Sequence, residues 1–204
     1  MKIKTHLIIA LVASQSFLLN GCKDKENNKT EAIEKTSEEI PFDQWNTMID
    51  DPENEGKKMF IGRVTHKGFM ENKVIFDWML EGFMDAKPKP STVVELRKLL
   101  EGVTIKFFMG TWCEDSQREI PRLFKTLQII NYDFDTVEMY AMSHDKDTPE
   151  GYERGFNIEY VPTIIFYKDG KELNRIVEST HGEYLEDDMT TILSGEPYTP
   201  MYAD

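Results

Sequence analysis

The fold is decided by residues 103–116, which read VTIKFFMGTWCEDS. The first seven are mostly apolar, and a short apolar run of this kind predicts a buried strand in the centre of a sheet. The chain leaves the strand through Gly110, and a long helix that contains Pro121 is predicted at 114–130. Cys113 therefore stands where a buried strand passes into the first turn of a helix.

Strand and helix patterns alternate on both sides of this stretch. Such alternation, finished by a hairpin, predicts an α/β fold in which a mixed sheet has helices on both faces. Residues 41–56 hold Trp45 and Met48 among turn-forming residues, and we expect them to pack loosely on the domain. Ser91 is expected to cap a helix that Gly102 ends. The remaining predictions are strands at 58–64, 136–142, 161–167 and 173–177, helices at 71–84, 91–100 and 183–193, and a helix or turn at 148–156.

Two later segments follow in a fixed order. Residues 156–163 read FNIEYVPT, with Pro162 at the start of a predicted strand. Residues 168–171 read KDGK, and Asp169-Gly170 between two strand patterns is typical of a hairpin turn. With Trp112-Cys113-x-x-Ser116 before them, these segments form an ordered set of motifs.

That set resembles the thioredoxin superfamily over about residues 56–195, including Pro121 eight residues after Cys113. Each motif alone is weak, and their joint order and spacing carry the resemblance. It implies a thioredoxin fold, with a central mixed sheet flanked by helices and an N-terminal helical and strand extension. It also implies that the Val161–Pro162 peptide is cis and that Pro162 lies beside Cys113.

Two residues depart from the superfamily pattern. Ser116 stands where dithiol members have a second, resolving cysteine, and Phe107 stands where many of them have a buried Asp. An intramolecular disulfide is therefore excluded at this site. A mixed disulfide on Cys113 would need an external thiol to clear it.

The resemblance assigns a role to each site residue. Cys113 is the nucleophile of a monothiol oxidoreductase or isomerase, and Ser116 donates a hydrogen bond to its sulfur. Trp112, Val161 and Pro162 form the substrate-binding surface for protein or small-molecule thiols and disulfides. No cofactor is expected. The alternative is a redox-inactive thioredoxin-fold module that uses the same surface to bind or scaffold a partner.

The charges around Cys113 oppose one another. The start of a helix favours a thiolate, whereas Glu114 and Asp115 place negative charge in the same turn. Lys106 and Arg118 are close enough in sequence to offset these acids, but the sequence does not give their directions.

The first 22 residues indicate export and lipidation. Lys2 and Lys4 precede a mostly apolar run at 7–19, the form of a secretory signal. The run ends Leu19-Asn20-Gly21-Cys22, which resembles the bacterial lipobox and implies cleavage before Cys22 and acylation of its sulfur. The alternative is a plain signal peptide with an incidental cysteine.

The predicted organisation has four parts. A signal peptide at 1–21 is followed by the acylated cysteine and a flexible polar tether at 22–40, an extension at 41–57 and the thioredoxin-like domain at 58–204. We expect an exported protein of the bacterial cell envelope, held to a membrane by its acyl chains, on either the periplasmic or the surface face.

The composition and charge limit the kinds of partner and ligand that we expect. The chain of 204 residues has a net charge of −13, and loss of residues 1–21 would remove two lysines and take it to −15. Such a charge disfavours nucleic acid as a partner, and we expect a monomer. His66, His144 and His181 are scattered without paired spacing, so no metal site is expected.

Overall fold

The protein is described by a computed structural model over residues 45–203. The predicted signal peptide, Cys22 and the tether lie outside the described residues. Within them the elements are, in chain order, β1 (Thr47–Asp50), β2 (Lys58–Val64), α1 (His66–Glu71), α2 (Lys73–Asp85), α3 (Pro90–Leu99), β3 (Val103–Met109), α4 (Glu114–Ile129), a 3₁₀ turn (Phe134–Thr136), β4 (Val137–Ala141), β5 (Thr163–Lys168), β6 (Lys171–Val177) and α5 (Leu185–Ser194).

The strands of the described residues form one mixed sheet in the order β1-β2-β4-β3-β5-β6. β3 and β4 are parallel, and all other neighbouring pairs are antiparallel. β3 lies inside the sheet between β4 and β5, as its apolar sequence predicts. The mixed sheet flanked by helices confirms the predicted fold class.

Successive residues of the central strands face two different hydrophobic clusters, because side chains alternate along a strand. Phe107 belongs to the larger cluster, to which all five helices contribute. Phe108 belongs to the smaller cluster, which is covered by turns and loops between residues 142 and 162. The prediction of helices on both faces is therefore wrong for the part of the chain that is described. Residues 148–156 form turns and no helix, so no helix of residues 45–203 covers the smaller cluster.

The structure corrects three local predictions. Residues 47–50 are strand β1, with Met48 opposite Phe60, so this part of the extension belongs to the sheet and does not pack loosely. The predicted helix at 71–84 is α2, which begins two residues later because Asn72 caps it through its side chain, and the preceding helix α1 was not predicted. α3 begins at Pro90 with Lys89 as its N-cap, not at Ser91, since proline suits the first position of a helix.

The hairpin between β5 and β6 is as predicted. Asp169 and Gly170 both have positive φ, 52° and 74°, which is the backbone that a tight two-residue turn requires. Among residues 45–203, no helix is both long enough and apolar enough to cross a bilayer.

Candidate active site

Cys113 is the N-cap residue of α4. Its backbone is extended (φ −87°, ψ 126°), and its N–H donates to the carbonyl of Gly110 at 3.0 Å. A side chain on residue 110 would place its Cβ 2.6 Å from the Trp112 ring, so glycine allows the indole to lie against the backbone. The turn therefore brings the thiol to the partly exposed N-terminus of the helix.

The thiol lies beside a cis peptide, as the resemblance implies. The Val161–Pro162 bond is cis, and the Cys113 sulfur donates a hydrogen bond to the carbonyl oxygen of Val161 at 3.3 Å. The next carbonyl, that of Pro162, accepts a hydrogen bond from the N–H of Glu178 at 2.7 Å. The predicted substrate-binding residues thus border the sulfur, although their role remains a prediction.

Ser116 does not make the contact that the sequence predicts. It is fully buried, and its hydroxyl oxygen accepts a hydrogen bond from the N–H of Gly110 at 3.2 Å. Among residues 45–203, no hydrogen bond joins it to Cys113. Its contact supports the backbone turn before the cysteine, because that N–H would otherwise be buried without a partner.

Trp112 is held in place from two directions. Its indole N–H donates to the carbonyl of Met142 at 2.9 Å. Its ring stacks on His144, with centroids 4.0 Å apart and planes 26° apart. His144 in turn lies 2.8 Å from a carboxylate oxygen of Asp51 and 3.3 Å from one of Glu53. The loop between β1 and β2 therefore supports the residue next to the thiol.

The carboxyl of Asp51 is buried yet stays acidic. Burial by itself would raise its pKa, but hydrogen bonds from the Glu53 N–H, His144 and Asn54, together with the charge of His144, lower the pKa below its ordinary 3.8. Neither His144 nor Asp51 was predicted from the sequence to be part of the site. One signal was available: His144 follows the carboxyl end of a central strand, where loops approach the site.

Lys106 and Arg118, the two basic residues close enough in sequence to offset the acids beside Cys113, are both paired with acids. Lys106 lies 3.1 Å from Glu138, and the Arg118 guanidinium lies 2.6 Å from Asp115 and 2.8 Å from Glu119. Burial lowers the pKa of Arg118, but its hydrogen bonds to Glu119 and Asp115 outweigh this and raise it. Arg118 therefore compensates Asp115.

Glu114 remains without compensation. It is exposed and forms no ion pair with any residue of the described part. Its negative charge in the first turn of α4 is therefore exposed to solvent and faces the same free N–H groups as the thiol.

The remaining sequence predictions concern the core and metals. Phe107 is fully buried and packs against Phe124, with ring centroids 6.0 Å apart. Met139 and Met142 belong to different clusters, which confirms that they face opposite sides of the sheet. Within residues 45–203, no three His, Cys, Asp or Glu side chains are grouped to hold a metal ion.

Comparison with known families agrees with this geometry. Residues 94–191 match the family model for thioredoxin, and that range contains β3, the cysteine, α4 and the cis-proline strand. Residues 94–191 therefore form a thioredoxin domain. A domain of this family indicates, in general terms, a function in thiol–disulfide redox chemistry. A search of the curated proteins found no match.

Solved structures similar to this chain include a Pseudomonas aeruginosa protein described as of unknown function, at 16% identity and a TM-score of 0.46, which covers 66% of this chain and 92% of that one. Another is the thioredoxin of Fasciola hepatica, at 21% identity and a TM-score of 0.33, with coverage of 51% and 93%. A third is thioredoxin O2 of Arabidopsis thaliana in the oxidized state, at 18% identity and a TM-score of 0.33. The match covers 53% of this chain and 96% of that one.

Proposed function

We propose that this protein is a membrane-anchored thioredoxin-like protein that exchanges thiols and disulfides through a single nucleophilic cysteine, Cys113. Trp112, Val161 and Pro162 form the surface that holds the substrate, and the activity is of the reductase or isomerase type. One observation carries the proposal. The Cys113 sulfur is partly exposed at the N-terminus of α4 and lies 3.3 Å from the carbonyl oxygen of the cis peptide.

The first step is attack by the Cys113 thiolate on one sulfur of a substrate disulfide. A bond forms between Cys113 and that sulfur while the substrate S–S bond breaks. The second substrate sulfur leaves as a thiolate and takes up a proton from water. Free N–H groups at the start of a helix favour the attacking anion.

The second step needs a thiol from outside the site. Residue 116 is a serine, and the other cysteine of the chain, Cys22, is the proposed site of acylation. A protein or small-molecule thiol attacks the substrate sulfur of the mixed disulfide, and Cys113 leaves as a thiolate. The substrate then carries that thiol in a new mixed disulfide. A second thiol equivalent attacks the first, so that the two thiols end as a disulfide and the substrate is fully reduced. Where the attacking thiol belongs to the substrate itself, the disulfide is rearranged without net redox change.

The experiment uses the full chain carrying Cys22→Ser, so that Cys113 is the only thiol. The protein is mixed with a peptide disulfide, and its mass is measured before and after an external thiol is added. We expect one adduct per chain, located on Cys113 and removed by the thiol. The matched control, Cys113→Ser, should give no adduct. An unmodified Cys113 would overturn the proposal.

The second candidate, a binding or scaffolding module, is favoured by the rigid placement of Trp112. Its indole contacts Met142 and His144, and neither contact involves the thiol. Capture of partners with the parent chain and with Cys113→Ser separates the two functions. An unchanged partner set would show that thiol chemistry does not recruit the partners.

The anchor is a separate part of the proposal and concerns Cys22, outside the described residues. Acyl chains hold a protein to a membrane by burying methylene groups, at about 0.8 kcal/mol for each. A bacterium that expresses the chain and is fed a palmitate analogue should label it, and Cys22→Ala should abolish both the label and the membrane association. Labelling of the Cys22→Ala chain would contradict the proposed anchor.

A further inference from the structure

A groove lies beside the cis peptide, on the face of the sheet that Cys113 occupies. One wall is formed by Asn157, Glu159, Tyr160 and Thr163, and the other by residues 200–203. These last residues end the segment 197–203, which we call the C-terminal tail. Thr163 in the first wall points to the same side of β5 as Ile165, against whose cluster Cys113 packs. The groove has a volume of about 390 Å³ and is open to solvent.

Two consecutive carbonyl groups, those of Val161 and Pro162, lie between the thiol and the groove. The Cys113 sulfur donates to the carbonyl of Val161, and the N–H of Glu178 donates to the carbonyl of Pro162. Glu178 also contacts Tyr202 of the tail through their side chains. A polypeptide that lies along residues 160–162 with its disulfide at the sulfur therefore brings its neighbouring side chains to the groove.

The tail is fixed in place by hydrogen bonds. The Tyr198 hydroxyl donates to Asp188 at 2.9 Å, and its carbonyl accepts from the amide of Asn174 at 2.9 Å. His181 makes a further hydrogen bond to the carbonyl of Thr199 at 2.7 Å. These contacts hold residues 198 and 199, from which the lining residues 200–203 continue.

The groove also presents aromatic and acidic groups. The rings of Tyr160 and Tyr202, both of which line it, stack on each other with centroids 4.8 Å apart and planes 23° apart. Glu159 lies in the same wall as Tyr160. The Glu178 carboxylate, next to Val177 of the lining, is close enough to the Tyr202 hydroxyl to raise the pKa of Tyr202. Within residues 45–203, neither Glu159 nor Glu178 forms an ion pair.

The basic residue that lines the groove, Arg175, is already neutralised. Two of its guanidinium nitrogens donate to the two carboxylate oxygens of Glu172 at 2.7 Å, and a third donates to the carbonyl of Phe156 at 2.7 Å. Arg175 therefore has no strong tendency to attract an anion. The exposed rings of Tyr160 and Tyr202, together with two carboxylates that form no ion pair within residues 45–203, suit an ammonium or guanidinium group.

We propose that this groove is a subsite for a lysine or arginine side chain next to the cysteine of the substrate polypeptide. The inference rests on the proposed function, since it assigns a substrate class to the Cys113 site. It makes the protein selective for basic polypeptide disulfides over acidic ones, including acidic small molecules such as oxidised glutathione.

The test compares two peptides that differ only in the charge beside their cysteine, lysine in one and glutamate in the other. Each cysteine is activated as a mixed disulfide with thionitrobenzoate, whose release is followed by absorbance. The full chain with Cys22→Ser is the parent. We expect the lysine peptide to react about tenfold faster, since each of two surface carboxylates contributes modestly to the attraction.

The variant Glu159→Gln/Glu178→Gln should bring the two rates to within about threefold of each other. The control Glu81→Gln/Glu95→Gln removes the same charge from exposed positions on α2 and α3 and should leave the rate ratio unchanged. The unfolding midpoint of each variant is measured to confirm that it folds as the parent does.

The outcomes are distinguishable. Release from neither peptide would overturn the proposed function and the subsite with it. Release from both peptides at the same rate would overturn the subsite and leave the function standing. An equal effect of the control variant would also overturn the subsite, because the selectivity would then come from the net charge of the chain.

Discussion

The hydroxyl oxygen of Ser116 accepts a hydrogen bond from the backbone N–H of Gly110 at 3.2 Å, inside the protein and out of contact with solvent. Ser116 lies in the first turn of α4, and Gly110 begins the turn that leads from β3 to Cys113. The residue that replaces a resolving cysteine therefore has a structural role. It holds the backbone that presents the thiol.

Ser116→Ala should destabilise the protein, because the change leaves a buried N–H without an acceptor. The expected loss in the free energy of unfolding is about 1–3 kcal/mol, measured by urea denaturation. The control is Ser91→Ala, at an exposed helical position, which gains the same helix propensity as Ser116→Ala does. Its free energy of unfolding should stay within about 0.5 kcal/mol of the parent. A Ser116→Ala loss as small as that of Ser91→Ala would show that the bond to Gly110 contributes nothing.

Ser116→Cys should convert the site to internal resolution. Residues three apart on a helix are neighbours, so the new thiol can attack a mixed disulfide on Cys113. In Ser116→Cys, the adduct should decay without added thiol, at least about tenfold faster than in the parent. Ser91→Cys adds a thiol on another helix and should leave the adduct lifetime as it is in the parent. An adduct that persists in S116C would mean that residue 116 cannot reach the sulfur.

Two variants of His144 separate the effect of its ring on Trp112 from the effect of its contact to Asp51. His144→Phe keeps a ring against the indole and loses the contact to Asp51, whereas His144→Ala loses both. Both variants should be less stable, by about 1–3 kcal/mol, because a buried carboxylate loses a partner. Only His144→Ala should slow adduct formation at Cys113. Equal adduct rates in the two variants would show that the ring packed on Trp112 does not affect the reactivity of the thiol.

Stability should depend on the ionisation of Asp51. The folded state lowers the pKa of this carboxyl below 3.8, so its ionised form stabilises the fold above that pH and the contribution is lost as pH falls through the lower, folded value. Urea denaturation of the parent and of Asp51→Asn should give a difference that shrinks as pH falls below about 3.8. Asp50→Asn removes an exposed carboxylate and should change the free energy little at any pH. A difference of constant size would contradict this account of Asp51.

Sequence patterns predicted the centre of the fold better than its edges. The predicted bounds of β2 and β3 are the same as the observed ones, because a short apolar run between turn-forming residues indicates a strand. β1 was missed, since its four residues are mostly exposed and gain their structure from pairing with β2. The cover of the smaller cluster was also missed, because turns that pack through scattered aromatic residues leave no periodic pattern.

The candidate site, too, was predicted only in part. Cys113 and the cis Val161–Pro162 peptide were identified from motifs of adjacent residues. The supports of Trp112 come from segments far apart in the chain, with Asp51 separated from His144 by 93 positions. Contacts of that kind depend on the register of the sheet, which a single sequence does not display.

The central claim is that the fold makes Cys113 a nucleophile toward disulfides. The most direct measurement is its second-order rate constant with an activated peptide disulfide, compared with that of an unstructured peptide of residues 110–116, GTWCEDS. Both carry the same acidic neighbours, so a difference reports the helix N-terminus and the site around it. We predict that the folded full chain with Cys22→Ser reacts about threefold to thirtyfold faster. A rate equal to or below that of the peptide would contradict the claim.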